Sequence, residues 1–290
     1  MIKYYYLEDW AKELVVDPLS KQSLIKSEDS MFLLSDYGRK YPIVNEIYDL
    51  RLLNNSTTGD QKLWKRTQDY YENNTKKKIR EDHKKDYFIE KSSVKEIYDI
   101  MPIEGNCLDV GGNVGILRDF LDIDQKFISC DPFLNVFDEL EKRTNFIKAY
   151  PCLNKPLNFI CCSAEFLPFM SLSFNTVHMR SVIDHFLNPE LSLYEAHRVL
   201  KKNGKIIIGS FVHGGKDGKE KLKPRIKSFI KDSMLPIFSV KKYQDLHIWH
   251  PTFNELLELI SNCGFEITKV YWQKGYHDTV CYVEASKKSF

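Results

Sequence analysis

Leu108-Asp109-Val110-Gly111-Gly112-Asn113-Val114-Gly115 decides how the rest of the chain is read. An apolar run ends on an acid and then breaks into closely spaced glycines, the pattern of a buried strand that turns tightly and lets its backbone approach a ligand. Downstream, apolar runs recur at 127–130, 158–162, 176–179, 205–211, 267–272 and 279–284. Amphipathic stretches at 117–121, 136–142, 191–200 and 253–263 separate them. Seven buried runs alternating with helices predict a doubly wound, mostly parallel, seven-stranded α/β sheet over residues 105–290, with its ligand outside the carboxyl ends of the strands. Residues 214–245 break the rhythm and are read as an insertion.

Upstream the texture differs. Residues 1–55 alternate short apolar runs with turn residues, which suits a small β-rich domain. Residues 56–104 begin with a polar linker and continue as charged helices that carry Leu63, Trp64, Tyr70, Tyr71, Val94, Ile97 and Tyr98 at helical spacing, a linker and helical lid.

Composition narrows the function classes. The chain has 290 residues, 43% hydrophobic, with 42 Lys and Arg against 40 Asp and Glu, a formal charge of +2. A dedicated nucleic-acid binder would carry a stronger basic excess, so nucleic acid is not the expected partner. Seven Cys without a Cys-x-x-Cys pair argue against a disulfide framework or zinc knot, and most fall on strands as small buried hydrophobes. No signal peptide or spanning run is read, and the expected location is cytoplasmic.

The glycine loop departs from a dinucleotide fingerprint, because the third and sixth places counted from Gly111 hold Asn113 and Ile116. Asp109, just before the glycines, would repel a pyrophosphate but attract an amino-acid ammonium, which favours S-adenosylmethionine. Asp131 closes the next strand, placed to accept both hydroxyls of a ribose, since an ionised acid is acceptor-only.

With these residues the chain resembles the class I S-adenosylmethionine-dependent methyltransferases over about residues 105–285. The likeness continues at Ser163-Ala164-Glu165-Phe166-Leu167-Pro168-Phe169, at Ser181-Val182-Ile183-Asp184-His185-Phe186 and at Arg198-Val199-Leu200-Lys201-Lys202-Asn203-Gly204-Lys205. It implies a Rossmann-like methyltransferase sheet. By the same resemblance Asp109, Gly111 and Gly115 would line the methionine part of the cofactor, Asp131 the ribose, and Ser163 with Ala164 the adenine edge, with Gly112, Asn113, Pro132 and Glu165 as further cofactor-binding residues. Residues 17–50 are similar to the zinc-ribbon-like module of methyltransferase activators, but Asp17, Ser20, Leu34 and Tyr37 stand where the zinc cysteines would be. A zinc-free unit is expected.

Asp184 and His185 follow the fourth strand, and His185 is the expected general base for an acceptor hydroxyl. Arg180 is a candidate for the cofactor carboxylate. His213, His247, Trp249 and His250 are read as substrate-binding, able to stack on a ring and hydrogen-bond its hydroxyls, while Thr252 reads as the cap of the last helix. The His-x-x-His spacing alone does not call for a metal, and none is expected. The basic stretch 216–231 reads as a solvated lid or as a surface for an anionic or lipid-linked substrate at a membrane. The expected activity is methyl transfer to a small-molecule or sugar-containing acceptor, lipid-linked or polysaccharide among them, at oxygen. A tRNA or protein methyltransferase and a non-catalytic scaffold are the alternatives, and the oligomeric state is left open.

Overall fold

The computed structural model describes residues 7–52, 59–81, 84–122, 124–134, 149–218 and 245–288, without the side chains of 78–85. The predicted stretch 136–142 and most of the predicted insertion, including its basic segment from residue 219 on, lie outside the described residues.

Eleven strands form one mixed sheet among the described residues, where seven were expected. They are β1 (Ile25–Lys26), β2 (Phe32–Leu34), β3 (Lys40–Val44), β4 (Ile47–Asp49), β5 (Cys107–Val110), β6 (Phe127–Asp131), β7 (Phe159–Cys161), β8 (Phe174–Arg180), β9 (Leu200–Phe211), β10 (Phe265–Trp272) and β11 (Val280–Lys287), in the order β1-β2-β3-β4-β7-β6-β5-β8-β9-β11-β10. Strands β7, β6, β5, β8 and β9 are parallel, and β11 and β10 add antiparallel. The count differs because the N-terminal meander joins the same sheet. Tyr48 and Asp49 of β4 pair in parallel with Ile160 and Cys161 of β7, a long-range match that local patterning does not reveal.

Period-two alternation sorts the strand residues onto two covered faces. Leu108, Val110, Ile128, Cys130, Val177, Met179, Ile206 and Ile208 face one core with Leu33, Tyr41 and Leu50 of the N-terminal unit. Leu193 and Ala196 of a helix at Pro189–Val199, and Leu256 and Ile260 of the final one at Phe253–Asn262, close that side. Cys107, Phe127, Phe159, Cys161 and Ile207 face the other core, filled by Tyr87, Val94, Ile97 and Tyr98 of the helix Lys84–Ile100 and by Met101 just beyond it, an apolar stripe at helical spacing.

Among the described residues the α-helices are, in chain order, α1 (Asp9–Lys12), α2 (Gly59–Glu81), α3 (Lys84–Ile100), α4 (Pro189–Val199) and α5 (Phe253–Asn262). After β5, where an amphipathic helix is expected, the chain makes only a short 3-10 segment, Ile116–Phe120. Such a turn has little macrodipole to attract phosphate. Thr252 caps α5 as expected: its Oγ1 accepts from Glu255 N at 3.3 Å, and Glu255 Oε2 accepts from Thr252 N at 2.7 Å. All seven cysteines are buried and unpaired.

The N-terminal unit uses a carboxylate where the resemblance places its first metal ligand. Asp17 is fully buried; Oδ1 accepts from Leu19 N at 2.8 Å and Ser20 N at 2.7 Å, and Oδ2 from the Tyr41 hydroxyl at 2.9 Å. Burial alone would raise its pKa, but these hydrogen bonds hold it below the ordinary value. Leu34 is half-buried on β2 and Tyr37 is exposed, so neither is posed as a ligand.

Candidate active site

A cavity of about 650 Å³ opens at the carboxyl ends of β5, β6 and β8. Its floor is the glycine loop. Gly111 has φ +71°, and a Cβ there would meet Val182 Cγ1 at 2.3 Å, so only glycine fits. Asn113 takes φ +48°, as an Asn in place of a glycine can. Its Oδ1 is buried without a hydrogen-bond partner. Gly115 serves packing instead: it does not line the cavity, and a Cβ there would strike Leu157 Cδ1 at 2.6 Å.

Strand register positions the first acid. Asp109 and His178 are direct partners across β5 and β8 and so point to the same face. Asp109 Oδ1 lies 2.7 Å from His178 Nδ1, both residues buried, and His178 Nε2 lies 3.1 Å from the hydroxyl of Tyr98 on α3. An ionised acid can only accept, so Nδ1 carries the proton and Tyr98 donates to Nε2. Asp109 is thus oriented from beneath the loop by two side chains that spacing along the sequence does not connect.

Asp131, at the end of β6, is also buried and lines the cavity. Burial pushes its carboxyl up to about 7, opposed by the N–H groups of Phe133 and Asn113 at 3.2 and 3.3 Å and reinforced by the nearby charges of Asp109 and Glu72. A desolvated acid with oxygens to spare suits hydroxyl donors. Pro132, Ser163, Ala164 and Glu165 line the same end. Glu165, however, turns its Oε1 to Leu187 N at 2.8 Å and Asn188 N at 3.3 Å, so its carboxylate anchors the approach to α4. Arg180 reaches the cavity wall but pairs with Glu90 of α3.

Helix α2 forms the roof. Trp64, Thr67, Gln68, Tyr71, Asn74 and Thr75, one stripe of this helix, face the cavity. The roof is pinned at three points. Thr75 Oγ1 accepts from Asn113 Nδ2 at 3.2 Å, the Tyr71 hydroxyl lies 3.4 Å from His185 Nε2, and Thr67 Oγ1 donates to the Leu246 carbonyl at 2.8 Å.

His185 lines the far end, on the 3-10 turn Ile183–His185. Burial pushes its pKa below the ordinary value, Asp184 pulling it up and His247 pushing it down. Its ring stacks on His247 with centroids 4.7 Å apart. Asp184, His247, Trp249, His213 and His250 lie outside the cavity wall. The Trp249 side chain packs against the core, and its backbone N–H donates to the Asp184 carbonyl at 3.0 Å. His213 stands edge-on to His250, centroids 4.9 Å apart. The predicted substrate histidines are therefore together, but behind His185 and not beside it in the pocket. Tyr71, Tyr98 and His178 were missed by sequence reasoning. Tyr71 and Tyr98 showed only as apolar helix positions, and His178 only as a polar interruption in a strand.

Residues 108–208 match the methyltransferase domain family. This segment is therefore similar to methyltransferase domains. The cofactor of such domains is S-adenosylmethionine, and the residues present here fit it: a glycine floor no side chain can fill, an unpartnered Asn113 oxygen, and buried Asp109 and Asp131 at adjacent strand ends. A ubiquinone/menaquinone biosynthesis C-methyltransferase of Blochmanniella floridana is 40% identical over 55 residues, 19% of this chain and 22% of that protein. The chain thus spans less than a quarter of that curated relative. The fold resembles the 1,6-didemethyltoxoflavin N1-methyltransferase of Burkholderia thailandensis, solved with 1,6-didemethyltoxoflavin and S-adenosylhomocysteine, at TM-score 0.51 and 11% identity over 85% of this chain and 98% of that one. It also resembles an S-adenosylmethionine-dependent methyltransferase from Thermotoga maritima at TM-score 0.45 and 20% identity, covering 70% of this chain and 89% of that one. Among the described residues no helix is long and apolar enough to cross a membrane.

Proposed function

We propose that the protein transfers the methyl group of S-adenosylmethionine to a hydroxyl oxygen of a small-molecule or sugar-containing acceptor. The observation that carries this reading is one cavity with two unlike ends: acids and glycines at the strand termini, and Val182, His185 and Phe186 beneath Tyr71 of the α2 roof. The bound cofactor supplies an electrophilic methyl on a sulfonium. Asp131 accepts from the ribose hydroxyls, Asp109 faces the ammonium, and the glycine loop lets the backbone close on the methionine chain. Tyr71 and His185 stand where an acceptor hydroxyl would be held in line with the methyl, and α2 excludes water from that path. A roofed pocket suits a compact acceptor better than a folded RNA.

Incubation of the protein with methyl-labelled S-adenosylmethionine and a fractionated host extract tests this. Label in the small-molecule, lipid or polysaccharide fraction, in an alkali-stable ether, supports the reading; label confined to RNA or protein overturns it.

The N-terminal unit is read as a zinc-free relative of the zinc-ribbon-like module, with Asp17 and its three donors in place of the metal. Asp17→Asn should then lower the unfolding free energy by about 1–3 kcal/mol, measured in urea.

A further inference from the structure

Asp184, His185 and His247 bring one carboxylate oxygen and two ring nitrogens within 4.8 Å of one another. Three observations mark this as more than chance crowding. Asp184 is 7% exposed, and its Oδ1 is buried without a hydrogen-bond partner, a costly state for a carboxylate unless something else satisfies it. Both histidines turn Nε2 towards this acid: His185 Nε2 lies 3.9 Å from Oδ1, and His247 Nε2 lies 3.6 Å from Oδ2. Both also turn Nδ1 to an acceptor, His185 to the Leu246 carbonyl at 3.4 Å and His247 to Asp245 Oδ1 at 2.8 Å.

The last point settles the protons. An acceptor facing Nδ1 places the hydrogen there and leaves Nε2 as an acceptor, the way an outer carbonyl or carboxylate orients a metal-binding imidazole. Three acceptor atoms then lie within 4.8 Å of one another, with the Tyr71 hydroxyl 3.4 Å from one of them, and a turn of the stacked rings would bring both nitrogens to bear on one ion. A cation satisfies all three at once. Metal–ligand bonds of about 2.0–2.2 Å put neighbouring ligand atoms roughly 3–4 Å apart, so the pairs at 3.6 and 3.9 Å are close to binding distance. The loop bearing His247 is tied down on the same residue, since the Asp184 carbonyl accepts from Ile248 N at 2.9 Å and Trp249 N at 3.0 Å.

We propose that Asp184, His185 and His247 bind one divalent transition-metal ion, of the class that two imidazoles and one carboxylate select. Asp245 and His250 form an outer group sharing His247. Asp245 is half-exposed and already engaged through both oxygens, with His250 Nε2 3.3 Å from Oδ2, so it orients His247 and is not itself a ligand. What the ion does rests on the reading given above. His185 is the one of the three that lines the cavity, so the ion would sit at the cavity wall behind it and would polarise an acceptor hydroxyl that reaches that wall. The O–H bond breaks with its proton leaving to water, the oxygen forms the new bond to the methyl carbon, and the S–C electron pair returns to sulfur. His185 then serves as a ligand instead of the expected base.

The test is calorimetric titration of the whole chain, stripped with chelator, with ZnCl2, and with Co2+ followed by absorption. One ion per chain at micromolar affinity or tighter is expected, with Asp184→Asn and His247→Gln each weakening it by about ten-fold or more and His250→Gln leaving it nearly unchanged. Absence of saturable binding, binding indifferent to Asp184→Asn, loss on His250→Gln alone, or a thiolate charge-transfer band of cobalt at cysteine each overturns the proposal. If Asp184→Asn does not fold, the wild-type isotherm and His185→Gln decide. Calorimetry with S-adenosylmethionine on the same samples separates the two readings: cofactor binding without metal binding sinks only the ion, and metal binding without cofactor binding sinks only the methyl transfer.

Discussion

The two ends of the cavity are built differently. At the cofactor end, Asp109 and Asp131 sit on adjacent parallel strands whose pairing fixes them, and a glycine floor closes between them. At the acceptor end, His185 sits on a 3-10 turn, and its partners come from α2 and from the loop before α5. One end is held by a backbone ladder, the other by side chains from three segments. The difference teaches that binding of the cofactor and handling of the acceptor should be separable by mutation.

The largest effect should come from His185→Ala. Turnover should fall by about 100- to 10,000-fold, the range for losing a group that activates the acceptor hydroxyl, while cofactor affinity by calorimetry stays within about two-fold. A parallel fall in both would break the comparison. Next is Asp131→Ala, which removes a charged acceptor and should weaken S-adenosylmethionine binding by about 1.5–3 kcal/mol with the acceptor KM unchanged.

A pH series sharpens the cofactor end. The Asp131 carboxyl sits at about 7 in the folded chain against 3.8 ordinarily, so folding favours its protonated form. Its contribution to stability is complete below about pH 3.8 and is lost as pH rises through about 7, which lowers the melting temperature of the cofactor-free protein on its account. Cofactor affinity runs the opposite way, because ribose hydroxyls donate to the ionised acid. It should rise by up to about ten-fold per unit towards pH 7 and level off above it. Asp131→Asn should flatten both trends. The smallest effect is Tyr98→Phe, which removes the donor to His178 and should cost about 1 kcal/mol in cofactor affinity through a less firmly held Asp109, with no change at the acceptor.

The same contrast decides what the sequence discloses. Asp109, its glycines and Asp131 were legible because the strand and turn that place them are local. So was the capping of α5 by Thr252. His178 and Tyr98 were not, because their contacts with Asp109 depend on strand register and on which face of α3 meets the sheet. The resemblance implies a ligand contact for Gly115, and what local pattern does not tell is that its positive φ also serves a turn packed on Leu157. At the acceptor end the residue types were readable, but which nitrogen faces which oxygen was not, since that depends on a loop returning across sixty residues to Asp184. The sheet's full width was hidden for a related reason: no pattern within 40–50 announces that β4 will pair with β7.

That pairing also orders events during synthesis. Tyr48 leaves the ribosome about a hundred residues before its partner Ile160, so the β4 edge presents unpaired N–H and C=O groups while most of the methyltransferase domain is still being made. Tyr41, Ile43, Ile47 and Leu50, all destined for the core, are exposed over the same interval. Chains arrested before β7 should therefore associate through that open edge, and nascent-chain solubility should recover only once residues 159–161 have emerged.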